Sequence, residues 1–515
     1  MTPIAETAAP TGASSPRHPH PMAPSFSLSP AEAWLPLPAA DWNEDAARHL
    51  LARLGWTATA AETARALQDG LQPTLRRLLG RMPEFPRPPL VAQLEQDAPE
   101  IRRRVARGTE MERRMAARDA RERAREALAE LTIQWLAHAS RPENAAAEKW
   151  LLFLQDVWVV TFEKVRNTAL LYQHQDLLRR RALASYRDVA KAMTRSPAMV
   201  EFLDLQRSRA GAPNENFARE LFELFTLGEG HYTERDIKEA ARAFTGYRQN
   251  LGKFAFVRRQ HDDGEKTVFG QSGRFDGDAI VDLVFRQPAA GRFLPGEMAK
   301  FYLSAEPLPP DYLAPLGAWW AERDYRLDAL LGAFFGSRLF FAPEFRGNFI
   351  KSPLQFYLGL MQDLDVVPAP LPRRVLGALR QMGQMPYAAP NVRGWVGGRN
   401  WINSATLASR RGVVVALLSP LPEDLLNGDE RAALRAAGPD RRYTLDPARL
   451  EAWAGLPSDQ AAAALVSFAL PARAGDAALR ARLAAFLDGN GRTNRVRAVR
   501  AALATLFESP DYQLC

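Results

Sequence analysis

Glu220 and Glu223 stand three residues apart in NENFARELFELF, with Asn216 one turn earlier. A helix would carry all three on one flank, beside an apolar stripe of Phe217, Leu221, Leu224 and Phe225. Two carboxylates partly withdrawn from water need a proton, an Arg or a metal beside them, because isolated buried charge is costly. Such a pair suits hydrolytic or metal-assisted chemistry, and it equally suits an internal network of ion pairs joining helices. Arg219, four residues from both Glu215 and Glu223, is placed to neutralise either. A second group follows at His261-Asp262-Asp263-Gly264, with Lys266 next to it. A histidine beside an aspartate supplies a base or a ligand, or else these residues only make the hydrogen bonds of a turn. His231, in the turn after the first pair, is placed to approach the same point. A third group surrounds Gly397-Gly398, with Trp395 and Trp401 on either side and Asn391, Asn403 and Ser404 nearby. Paired glycines permit close backbone approach, and indole rings offer a flat apolar face with one donor. That loop suits a sugar or a ring-shaped ligand, or else it plugs the core with two tryptophans. The candidate catalytic residues are thus Glu220, Glu223, His261 and Asp262. The candidate binding residues are Asn214, Asn216, Arg219, His231, Lys266, Asn391, Trp395, Trp401 and Asn403.

These groups need elements to hold them. Asn214, after a proline, is the expected N-cap of the Glu220 helix. Gly228 and Gly230 end that helix in a turn. Thr233 to Asp236 reads as a capping box opening a second helix, which buries Ile237, Ala240, Ala241 and Phe244 and stops at Gly246. A helix-turn-helix reading is disfavoured, because Glu234, Asp236 and Glu239 make a poor face for a DNA groove. Lys253–Val257 and Thr267–Phe269 predict one small β-hairpin near residues 253–270, with His261 to Gly264 in its loop. Elsewhere the pattern is helical. Residues 97–138 predict one long charged helix, with ten Arg and six acidic residues between Ile101 and Glu130. Lys149–Leu178 predicts a core helix that continues through 186–193. Pro295 should break a helix over 289–303, Ser352 should cap another, and Gly489-Asn490-Gly491 should form a turn. The expected fold is mainly α and multi-helical. Its divisions are a disordered tail over 1–26, N-terminal helices over 27–140, a core over 141–412 and a C-terminal helical part over 413–515.

Composition narrows the function classes. No apolar run approaches the roughly 18 residues of a membrane span, and the start of the chain lacks a secretory pattern, so a soluble, cytoplasmic protein is expected. The single Cys515 excludes an intramolecular disulfide and a cysteine-based zinc site. The net charge of +8 is interleaved rather than clustered, which disfavours nucleic acid as a partner. Neither a Gly-x-Ser-x-Gly elbow nor a GxGxxG nucleotide loop is present.

Several strings taken in order resemble a known family: Gly211 to Gly246, Gln260 to Gly270, Lys351-Ser352-Pro353, Met382-Gly383-Gln384, Pro390 to Arg410, and the closing Ser509 to Leu514. The chain resembles the bacterial domain-of-unknown-function family DUF1800 over roughly residues 40–515. The resemblance implies an α-rich fold, no established activity or cofactor, and a sulfatase-like neighbour protein as partner. Members commonly carry a Trp-His-Asn-His run where this chain has Leu154-Gln155-Asp156-Val157, and an Asp-Asn pair where it has Asp204-Leu205. A histidine metal site built on that run would be lost here. The reading adopted is a binding, assembly or accessory protein with a buried polar site; the alternative is a carboxylate/His or metal-assisted hydrolase.

Overall fold

The computed structural model describes residues 26–419, 421–437, 442–491 and 494–515. The expected tail, with His18 and His20, lies outside the described residues except for Phe26. Among the described residues there are 26 α-helices and two separate two-stranded antiparallel sheets. The fold is therefore mainly α. No helix among them is long and apolar enough to cross a membrane.

Helix α1 (Glu44–Leu54) begins where the Asn43 side chain accepts the Ala46 N–H, and it buries Ala46, Leu50 and Leu54. The stretch expected as one long helix is instead a hairpin of α2 (Pro89–Arg107) and α3 (Glu110–Ala139). Thr109 and Glu112 form a capping box after Gly108, so the chain restarts a helix rather than continuing one. The predicted core helix is likewise divided, into α4 (Pro142–Val157) and α5 (Thr168–Arg181), with Asn167 capping the second. Between them Trp158, Val159 and Val160 leave the helix and cross the core buried.

The paired helices are α6 (Asn216–Glu223) and α7 (Glu234–Ala243). Phe217, Leu221, Ile237 and Ala240 are all 0% exposed, as their spacing required. Gly228 and Gly230 take φ of +82° and +81°, which a side chain would resist. The predicted single hairpin is two: β1 (Tyr247–Asn250) with β2 (Lys253–Phe256), then β3 (Lys266–Val268) with β4 (Gln271–Gly273). The His261 segment joins the hairpins. Helix α8 (Pro288–Tyr302) runs through Pro295, because burial of Leu294, Met298 and Ala299 around it offsets the lost hydrogen bond.

Ser352 caps α9 (Pro353–Leu364), accepting from Gln355 N–H at 3.2 Å. The helices α10 (Pro372–Met382), α11 (Ser404–Leu418), α12 (Gly428–Ala436), α13 (Ala477–Asn490) and α14 (Arg495–Glu508) complete the scaffold. Gly489 and Asn490 belong to α13, so the expected turn starts only at Gly491. Three of the motifs noted in the sequence meet in one buried cluster. Arg410 on α11 is 1% exposed and donates to Gln513 Oε1 at 2.9 Å and to the Lys351 carbonyl at 2.8 Å. Tyr512 donates to Asp363 at 2.5 Å, and Lys351 Nζ lies 3.8 Å from the Tyr512 ring centre. Arg410→Met removes a buried cation's donors and leaves both acceptors unpaired. It should lower stability by about 3 kcal/mol, read as a fall in the urea midpoint; an unchanged midpoint would refute the cluster's structural role.

Candidate functional site

Glu223 ends α6 and is tied on both oxygens. Tyr232 donates to Oε2 at 2.8 Å, and Arg393 from the distant loop reaches Oε1 at 2.5 Å. The same guanidinium meets Glu229 at 3.0 Å. Arg219 does not neutralise Glu223; it forks onto Glu234 at 2.7 and 2.8 Å, with Glu215 at 3.7 Å. Glu220 is half-buried, and burial, then the charge of Glu223, holds its carboxyl above the usual range. Asn216 is exposed and begins the helix, with Glu215 at the cap position. Asn214, expected as that cap, stands one residue earlier; it accepts Asn216 N–H at 3.0 Å and donates to the Asp204 carbonyl at 3.1 Å.

The histidine segment sits elsewhere. His261 is largely enclosed, its Nδ1 3.0 Å from the Thr245 carbonyl. Asp262 takes a fork from Arg242 at 2.8 and 3.2 Å, and that bond holds its carboxyl below the usual range. Lys266 Nζ donates to the carbonyls of Asp262 and Gly264 at 2.6 and 3.0 Å. His231 is exposed. None of His231, His261, Asp262 or Lys266 lines the cleft that Glu223 borders.

That cleft encloses about 850 Å³ between α4, the end of α6, α8 and the loop 392–401. The loop is shaped by its own polar groups: Asn391 Oδ1 accepts Arg393 N–H at 2.8 Å, and Asn403 caps α11. Gly394, at φ +82°, lets the chain press on α4, where Asp156 Oδ1 accepts Trp395 N–H at 3.0 Å. Trp395 and Trp401 both line the cleft, and Trp395 Nε1 is buried with no hydrogen-bond partner among the described residues.

Two cleft residues escaped the sequence reasoning. Lys149 and Asp156 are seven apart on α4, hence on one face of it, and both border the cleft. A Lys and an Asp at either end of the apolar run 150–154 were the available signal. Lys149 Nζ donates to the Arg53 and Gly55 carbonyls at the end of α1, at 2.7 and 2.9 Å, and burial lowers its pKa to about 7. Part of Asp156 stays open to the cleft, yet its carboxyl is densely surrounded by protein. Burial raises its pKa to about 7, against the pull of the Trp395 N–H. Because the folded value lies above the unfolded one, ionisation of Asp156 weakens the fold as pH rises through about 7. Asp156→Asn keeps an acceptor for Trp395 and cannot ionise. Its melting temperature relative to the native protein should therefore be higher at about pH 8.5 than at about pH 5.5. A difference that is flat or falls with pH would count against a strained Asp156.

Among the described residues, no group of three or more His, Cys, Asp or Glu side chains is placed to hold a metal ion. A family model described as a protein of unknown function, DUF1800, matches residues 49–514. No curated protein and no solved structure matches the chain.

Proposed function

The chain belongs to the DUF1800 family of proteins of unknown function, and on that footing we propose that it is a binding protein whose cleft takes an oligosaccharide-like ligand. The observation that carries this reading is the pair of indoles, Trp395 and Trp401, that line one cleft together with ionic and amide side chains. Trp395, Trp401 and Phe301 offer apolar rings to the cleft, while Glu223, Gln355 and Asn400 offer hydroxyl-binding groups. A sugar ring has one apolar face and a rim of hydroxyls, and so needs both kinds of group.

Titration of the full chain with a panel of neutral oligosaccharides, followed by calorimetry, tests the reading. At least one should bind, and Trp395→Ala should weaken that binding tenfold or more while circular dichroism stays unchanged. Absence of binding across the panel would overturn it. A second reading, hydrolysis, rests on Asp156 and Glu223 bordering one cleft in different surroundings. Asp156 is held near neutrality by burial and Glu223 is ion-paired to Arg393, the arrangement by which two carboxyls divide into acid and base. Release of reducing ends from the bound sugar, lost in Asp156→Asn with binding kept, would favour it. The sulfatase-like partner rests on family resemblance alone, and co-purification of the two proteins tests it.

A further inference from the structure

A second cavity, of about 870 Å³, shares no lining residue with the first. It lies between α10 and α11 and is walled on its remaining side by Leu434 of α12 and by residues 442–447. Its space comes from small side chains. Ala408, Gly412 and Ala416 recur at four-residue steps along one face of α11, opposite Gly377 and Ala378 of α10. Leu371, Val375, Val413 and Leu417 make the rest of the floor apolar. The charges at this cavity are unevenly provided for. Arg374 forks onto Glu430 at 2.8 and 2.9 Å, and Arg442 meets Asp446 at 2.8 Å. Arg373 is exposed, also lines the cavity, and among the described residues has no hydrogen-bonded acid of its own, adding to the field on Glu430.

We propose that this cavity binds a long-chain carboxylate, its acyl chain lying along the Ala/Gly floor and its head group at Arg373. The volume falls within the roughly 300–1,000 Å³ typical of sites that enclose small molecules. An unbranched chain fits a trough opened by alanine and glycine, where a Cβ added at Gly377 or Gly412 would meet no atom within 4 Å. A guanidinium without its own acid supplies the complementary charge for a carboxylate. The walls on three sides favour a slender chain over an incoming helix, which is about 10 Å across.

Displacement of a fluorescent fatty-acid probe from the full chain by palmitate, octanoate and hexadecanol tests the assignment. Palmitate should displace the probe, and octanoate should be at least tenfold weaker, since each methylene removed costs about fourfold in affinity. Arg373→Glu should weaken palmitate tenfold or more and leave hexadecanol unchanged. Ala416→Trp should abolish both, with Ala408→Trp as the second filling variant if the first fails to fold by circular dichroism. Failure of palmitate to displace the probe, or equal binding by the native and filled variants, overturns the proposal. So does a native-mass dimer that dissociates in Ala416→Trp, which would assign the groove to a second copy of the chain.

Discussion

Gly394→Val is expected to abolish ligand binding in the Trp395 cleft, with an affinity loss of a hundredfold or more, while most of the helical scaffold survives. A Cβ at position 394 would lie 2.2 Å from Asp156 Oδ1 and 2.9 Å from both the Asp156 Cγ and its backbone oxygen. Backbone and a buried carboxyl cannot both give way at that distance, and φ of +82° is in any case unfavourable for a β-branched residue. The loop must therefore lift from α4, withdrawing Trp395 from Asp156 and Arg393 from Glu223 together. Calorimetric titration with whichever oligosaccharide binds the native chain, alongside far-ultraviolet circular dichroism, is the direct check. Near-native affinity in a folded Gly394→Val protein would mean that the docked loop does not make the site.

The largest loss of stability is expected for Glu148→Leu. Glu148 is 0% exposed and its two oxygens serve three side chains on two other helices. Arg179 on α5 meets both of them, His138 on α3 approaches Oε1 at 3.1 Å, and Trp135 donates to Oε2 at 2.9 Å. Burial by itself would raise this carboxyl, but the hydrogen bonds from His138 and Arg179 outweigh it and bring the pKa below the ordinary value. Removing the acid strands a buried guanidinium, a loss of about 3–5 kcal/mol. A group whose folded pKa is depressed gives its stability above the unfolded value and loses it as pH falls. The gap between native and Glu148→Leu unfolding free energies should therefore be full near neutrality and shrink below about pH 4. Urea melts at pH 7 and pH 3.5 measure both quantities, and a gap under about 1 kcal/mol at pH 7 would contradict the network.

The local elements were legible because their causes are local. Thr233 with Asp236, the glycines at 228 and 230, Ser352 before Pro353, and the stripe from Phe217 to Phe225 all act within one or two turns of chain, where residue type and spacing suffice. The break within 97–138 is also local, the Thr109–Glu112 capping box, but the charged periodicity runs on across it. The single hairpin over 253–270 failed for another reason. Strand partners are set here by two-residue turns: Leu251-Gly252 and Phe269-Gly270 all take positive φ, so β2 pairs back with β1 and β3 forward with β4.

For the site the boundary lies elsewhere. By itself the sequence determined a mainly helical chain of a recognisable family, with carboxylates, a histidine loop and a tryptophan loop as its polar centres. Only the tertiary structure decided which of these meet. Glu223 joins Trp395 and Trp401 through Arg393, while His261, Asp262 and Lys266 close a separate turn. The structure also turned Lys149 and Asp156, at either end of the apolar run 150–154, into cleft residues with pKa values near neutral. The physical reason is that burial and ion pairing depend on groups brought together across 170 or more positions of chain, as Glu223 and Arg393 are. No spacing along the sequence records that approach.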